Sequence, residues 1–94
     1  MTIHPQPSGN HEHFAQKVLM TFVDEGRLVA IPARRKKRDV VLRWLVEIFE
    51  TDKRYSEREV SELIGMRHPD YATLRRELVG SGLMKRETGI YWRL

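Results

Sequence analysis

The chain has 94 residues and no cysteine, so disulfides and thiolate metal sites are excluded. The absence of cysteine is consistent with a reducing compartment, and we expect a cytoplasmic protein. No apolar run approaches the roughly 20 residues that span a bilayer, and no signal-peptide core is present. We therefore expect no membrane segment.

Catalytic patterns are also missing. There is no glycine-rich phosphate loop, and neither Ser56 nor Ser61 has a histidine–carboxylate pair at a spacing that would activate it. The histidines lack cysteine or acidic partners at ligand spacing, and His11 and His13 would point to different faces of a helix. We therefore expect no enzyme activity, no metal and no cofactor.

Charge is distributed in patches along a chain whose net charge is +4. Residues 34–44 hold six cations and one anion (+5), and residues 45–62 hold three cations and six anions (−3). Patches of this kind favour an anionic partner such as nucleic acid, although most charge runs are solvated surface.

The N-terminal part of the chain predicts a disordered tail followed by one domain. Residues 1–10 are rich in Pro, Gly, Ser and Asn and have little to bury, so the domain is expected over residues 11–94. Helical spacing of apolar residues predicts a first helix over residues 11–23, with Asn10 as its N-cap. A turn and a short strand over residues 27–31 follow.

Three further helices and a β-hairpin are predicted downstream. One apolar stripe indicates a helix over residues 36–49. Ser56 and Glu59 form a capping-box pattern, so the next helix begins at Glu57 and ends at Gly65. Pro69 is predicted as the first residue of a helix that runs to residue 79. Residues 83–94 read as a hairpin that turns at Gly89, and Ile90, Trp92 and Leu94 share one face.

This order of elements predicts an α+β, mainly helical fold. Three helices followed by a β-hairpin make a winged helix-turn-helix, here preceded by an extra N-terminal helix and a short strand. Tyr55 lies in the extended connector before the second of these three helices, where the winged helix pairs a short strand with the hairpin.

Several segments together resemble one known family. The pieces FVDEGRLVAIPARRKKRDVVLRWLVEIFE, RYSEREVSELI, HPDYATLRRELVGSGLMKRE and YWR are similar, in order and spacing, to the prokaryotic family catalogued as domain of unknown function 2087. The resemblance covers about residues 20–93. Because the family also occurs attached to bacterial transcription regulators, it implies a regulatory or nucleic-acid context. It implies no activity and no functional residue.

The candidate nucleic-acid contacts are the cations of three elements and two polar residues near them. Five consecutive cations begin the 36–49 helix, where the partial positive charge of a helix N-terminus opposes them and bound phosphate would reverse the effect. Pairing with the acidic residues 47–62 is the alternative. The full set of candidates is Arg34, Arg35, Lys36, Lys37, Arg38, Tyr71, Thr73, Arg75, Arg76, Lys85 and Arg86.

The functional expectation is a DNA-binding transcription regulator or its accessory module, with Arg75 and Arg76 nearest the bases. The alternative is a protein-interaction module of the same shape without DNA binding, indicated by the acidic residues 47–62 and by Asp70 and Glu77, with another regulator protein as its partner. For Arg75 and Arg76 alone, the alternative is that they clamp acidic residues of the preceding helix. A homodimer through Phe14, Val18 and Phe22 of the first helix is also expected.

Overall fold

The computed structural model describes residues 7–94, with side chains described from Glu12 onward. The fold is α+β and mainly helical, with four helices and two small antiparallel sheets. In chain order the elements are α1 Pro7–Phe22, β1 Val23–Asp24, β2 Arg27–Leu28, α2 Arg35–Val46, β3 Arg54–Ser56, α3 Glu57–Gly65, α4 Tyr71–Gly80, β4 Met84–Glu87 and β5 Ile90–Arg93.

Helix α1 begins earlier than predicted. It starts at Pro7, and Asn10 lies inside the helix instead of capping it. Proline is well tolerated in a first helical turn because the N–H it lacks would have no partner there. Of the predicted disordered tail, residues 7–10 therefore belong to α1, and residues 1–6 lie outside the described residues.

Strands β1 and β2 form a short hairpin, of which only β2 was predicted. Val23 pairs with Leu28 and Asp24 with Arg27. The two turn residues, Glu25 and Gly26, have φ values of 50° and 75°, which is the geometry of a tight type I′ turn. The hairpin ends α1 at Phe22, because the backbone of Val23 is engaged in the strand pair.

The helix ends follow the capping residues. Ser56 Oγ accepts from Glu59 N at 3.1 Å, and Ser56 N donates to Glu59 Oε1 at 2.9 Å, so the predicted capping box is confirmed. Helix α4 begins at Tyr71, two residues later than predicted, because Asp70 is the N-cap and accepts from Thr73 N at 3.4 Å. Pro69 is therefore outside the helix.

The core lies where the helices meet the inner face of the C-terminal sheet, and the N-terminal elements close one side. Phe49 and Tyr55 contact edge to face, with 5.1 Å between ring centroids. The buried apolar residues are Val18, Leu28, Val41, Leu42, Leu45, Val46, Phe49, Tyr55, Val60, Ile64, Leu74, Leu78, Met84 and Tyr91.

The C-terminal sheet has the strand order β3–β5–β4. Tyr55 pairs with Tyr91, which confirms the predicted pairing of the connector with the hairpin, and Gly89 turns at a φ of 75°. Side chains alternate across a strand, so Tyr91 enters the core and its neighbours point away from it. The shared face of Ile90, Trp92 and Leu94 is therefore the outer one, and Ile90 and Leu94 are 40% and 66% exposed.

Within residues 7–94, no helix combines the length and the apolar character needed to cross a membrane.

Candidate nucleic-acid interface

Helix α4 has one buried side and one open side. Leu74 and Leu78 are buried in the core. At about 100° per residue, Arg76 lies on the opposite side of the helix, and it is exposed. The residues one turn away are Ala72, Thr73, Val79 and Gly80, and the side chain of Val79 is partly buried against the core. The open side of α4 therefore presents one arginine on a surface that another molecule can approach closely.

The two arginines predicted nearest the bases have different surroundings. Arg76 is exposed, whereas Arg75 is half-buried and its Nη1 donates to Ser61 Oγ of α3 at 2.7 Å. Arg75 thus ties α4 to α3 through a neutral hydroxyl. Among the described residues, neither arginine forms an ion pair with an acidic residue of α3.

Tyr71 and Thr73 occupy the first turn of α4. Tyr71 is the first helical residue and is 44% exposed. Thr73 is half-buried, and its backbone N–H is held by the Asp70 carboxylate. Both residues therefore lie at the end of α4 that follows the α3–α4 turn, and the tyrosine ring remains accessible.

The basic cluster, Arg34–Arg38, begins α2 without a polar cap. Arg34 is the N-cap, its side chain makes no capping hydrogen bond, and the first turn holds no acidic residue. Arg34, Arg35 and Lys36 are exposed and Lys37 is half-buried. In the part of the chain that the structure describes, none of these four forms an ion pair.

Arg38, the fifth cation, joins the cluster to α4. It lies three and four residues before Val41 and Leu42, so it shares the side of α2 that faces the core. Its Nε lies 3.4 Å from Glu77 Oε1 on α4, and its Nη1 donates to the carbonyl of Ala33 at 3.1 Å. The N-terminus of α2 is therefore held beside α4. The predicted alternative, a cluster paired with the acidic residues 47–62, is not formed within residues 7–94.

The acidic residues close to α4 are engaged within the domain. Glu77 pairs with Arg38, and Asp70 accepts from Thr73 N. On α3, Glu62 accepts from Arg58 Nε at 3.0 Å and Glu57 accepts from the Tyr91 hydroxyl at 2.9 Å. On the same helix, hydrogen bonds from the backbone N–H and the hydroxyl of Ser56 hold the pKa of the Glu59 carboxyl below its usual value.

The candidate cations of the hairpin, Lys85 and Arg86, are exposed on the edge strand β4. Lys85 pairs with Trp92 from β4, and Arg54 pairs with it from β3 on the same face of the sheet, with its guanidinium 3.8 Å from the centre of the Trp92 ring. Arg86 pairs with Tyr91. The structure therefore keeps both cations on the surface, with Lys85 on the outer face of the sheet.

Sequence reasoning missed Arg67, which lies in the turn between α3 and α4. Its Nη1 donates to the carbonyl of Gly26 at 2.8 Å, and its own carbonyl accepts from Leu28 N at 2.8 Å. These two bonds attach the β1–β2 hairpin to the turn that precedes α4. No local pattern signals the contact, because its partners are 41 residues apart.

The residues predicted for a homodimer are mostly used inside the domain. Val18 is 4% exposed and belongs to the core, and Phe22 packs against it. Phe14 is the most accessible of the three, at 37%. Val18 and Phe22 therefore contribute mainly to packing within the domain, and the homodimer through α1 stays a prediction.

Comparison with known proteins identifies a family and no activity. Residues 27–93 match the family model described as "Uncharacterized protein conserved in bacteria", domain of unknown function 2087. No curated protein and no solved structure matches the chain. Among the described residues, no group of three or more His, Asp or Glu side chains is placed to hold a metal ion.

Proposed function

We propose that this chain, which belongs to the bacterial family domain of unknown function 2087, is a winged-helix protein that binds duplex DNA. The fold assignment is supported by three consecutive helices, α2 to α4, followed by the β4–β5 hairpin. It is also supported by β3, which pairs with β5 as the third strand of the sheet. In this fold α4 is the helix that enters the major groove.

One observation carries the proposal: the ion pair between Arg38 and Glu77. It holds the basic N-terminus of α2 against the side of α4. Four cations without ion pairs among the described residues are therefore anchored next to the helix whose open side carries Arg76. A duplex that receives α4 in its groove brings its phosphates to these cations.

The residues divide into three roles. Arg34, Arg35, Lys36 and Lys37 bind phosphates, as do Lys85 and Arg86 on the hairpin. Arg76 contacts base edges, and its small neighbours on α4 allow the helix to enter the groove. Tyr71 and Thr73 donate to phosphates near the start of α4. Arg75 holds α4 on α3 through Ser61 and positions the helix without reading bases.

Salt dependence tests the proposal most directly. If the four free cations of the cluster each neutralise one phosphate, the slope of log K against log salt is about −3.6, and affinity falls roughly 100-fold between 50 and 200 mM salt. We expect this dependence in a fluorescence-anisotropy titration against a random-sequence duplex. Absence of salt-sensitive binding at micromolar protein would refute DNA binding.

Two double variants that remove the same charge distinguish phosphate binding by the cluster from an effect of net charge alone. Arg35→Ala with Lys36→Ala should weaken binding on every sequence and reduce the salt slope by about 2. Lys53→Ala with Arg58→Ala removes the same charge from exposed positions outside the cluster and should leave the slope unchanged. Equal losses from both pairs would contradict the role of the cluster.

The role of Arg76 is tested by the DNA sequence preference of the protein, not by its affinity. In a selection from random duplexes, Arg76→Ala should change or relax the preferred sequence, since loss of a base contact costs about 1–3 kcal/mol at one position. Arg35→Ala should leave the preferred sequence intact. If both variants select the same sequence as the wild type, Arg76 does not read bases.

The second candidate is a protein-interaction module without DNA binding. It is favoured by the outer face of the C-terminal sheet, where Ile90, Trp92 and Leu94 form an apolar row and Ile90 and Leu94 are well exposed. This candidate becomes the better one if the anisotropy titration shows no salt-sensitive binding.

A further inference from the structure

Helix α2 has a second apolar side, which packs at the edge of the core. Val40 and Trp44 lie there, partly buried, and α1 packs against α2. The two helices do not close completely, and an open groove remains between them. Its lining residues are Ala15, Leu19, Val40, Arg43, Trp44 and Glu47.

This groove lies at the border of the family-matched region. Residues 27–93 include α2, whereas α1 precedes them. The outer side of α2 thus already accepts one helix, α1, on its apolar residues Val40 and Trp44. The remaining part of this surface is open at the groove.

The two charged residues of the groove are complementary to themselves. Arg43 and Glu47 are both exposed, lie one helical turn apart, and form no ion pair within residues 7–94. When two copies of α2 cross antiparallel about a two-fold axis, Arg43 of each copy faces Glu47 of the other. An isologous contact requires this kind of self-complementarity.

We infer that the α1–α2 groove is the contact surface between two copies of this chain. Two pairs of helices then pack with their apolar groove residues between them, and two symmetric Arg43–Glu47 ion pairs flank the contact. This inference replaces Val18 and Phe22 by groove residues, and it does not depend on DNA binding. It leaves α4 free, because Val40 and Trp44 lie on the side of α2 opposite Arg38 and Leu45.

Charge reversal tests the contact by complementation. In a homodimer of Arg43→Glu, or of Glu47→Arg, like charges face each other at both ends of the contact. In a mixture of the two variants, the heterodimer again has two ion pairs, one in the original sense and one with its signs exchanged. We expect each variant alone to dimerise at least about tenfold more weakly than the wild type, and the equimolar mixture to recover most of that loss.

The measurement is sedimentation equilibrium from micromolar to millimolar protein at low salt, with circular dichroism to confirm the folded state of each variant. Arg58→Glu and Glu62→Arg are the matched controls, since they have the same spacing on an exposed helix surface outside the groove. These controls should dimerise like the wild type. The inference is overturned if the wild type stays monomeric, if the mixture is no tighter than either variant, or if the controls lose as much affinity.

Discussion

Removal of the Arg67 side chain should loosen the N-terminal hairpin from the body of the domain. The guanidinium is half-buried and donates to the Gly26 carbonyl at 2.8 Å, and it lies 6.0 Å from the centre of the Trp44 ring. In Arg67→Ala, the carbonyl loses this donor, while the backbone bond from Leu28 N to the Arg67 carbonyl can remain.

The expected loss follows from the partial burial of the contact. Hydrogen bonds to charged groups contribute about 1.5–3 kcal/mol, and partial exposure favours the lower end of that range. The Trp44 ring lies at the limit of a cation–π contact, so it adds little. We therefore expect about 1.5 kcal/mol, which corresponds to a Tm lower by roughly 6–12 °C for a domain of this size.

The assay is thermal and urea unfolding of Arg67→Ala beside Arg58→Ala. The Arg58 side chain is 88% exposed in its ion pair with Glu62, so its removal should cost no more than about 0.5 kcal/mol. Hydrogen exchange should also become faster at the Leu28 amide. Equal loss of stability in both variants, or wild-type stability of Arg67→Ala, would contradict a stabilising role of the Arg67–Gly26 hydrogen bond.

Three further changes have expected outcomes. Ser56→Ala should lower stability by about 1 kcal/mol through loss of the cap. The pKa of Glu59 is lowered from 4.5 in the folded state, so the wild type should lose stability as pH falls below that value. In urea unfolding at pH 3–6, Ser56→Ala should lose less stability on acidification than the wild type does. Burial and the hydrogen bond to the Glu57 carboxylate raise the pKa of Tyr91 above 10.0. The tyrosine therefore ionises first in the unfolded chain, and the free energy of unfolding falls as pH rises through 10. Tyr91→Phe should reduce that fall, as measured by urea unfolding at pH 9–11. Glu77→Gln should cost about 0.5–1 kcal/mol in urea unfolding by breaking its ion pair with Arg38. It should also weaken duplex binding in anisotropy titrations, since that pair holds the basic cluster beside α4.

Features that depend on a few residues close together in the chain could be predicted from the sequence. Ser56 and Glu59 determine the start of α3, because both hydrogen bonds of a capping box close within one helical turn. Gly89 marks the hairpin turn, because a positive φ is inexpensive for glycine. The alternation of β5 predicted that Ile90, Trp92 and Leu94 share a face. It could not decide which face is buried, since both alternating sets contain large apolar rings.

Contacts between distant segments could not be predicted. Arg67 reaches Gly26 only because the fold brings the hairpin to the α3–α4 turn. Arg75 and Arg76 are adjacent and chemically identical, yet a rotation of about 100° turns one toward Ser61 and the other to the open side of α4. The sequence therefore predicts a basic recognition helix, and only the packing of α3 distinguishes its two arginines.

The start of α2 has two unfavourable features, and contacts within the domain compensate for them only in part. Arg34 offers no acceptor to the first backbone N–H groups, and the first turn carries cations where the helix dipole favours anions. From α4 the fold brings the Glu77 carboxylate to this end of the helix, where it forms an ion pair with Arg38. Four cations and an uncapped helix start are left facing outward. Phosphate oxygens would satisfy both, since they accept from free N–H groups and from arginine. The unfavourable helix start is therefore the best physical reason to look for an anion outside the domain.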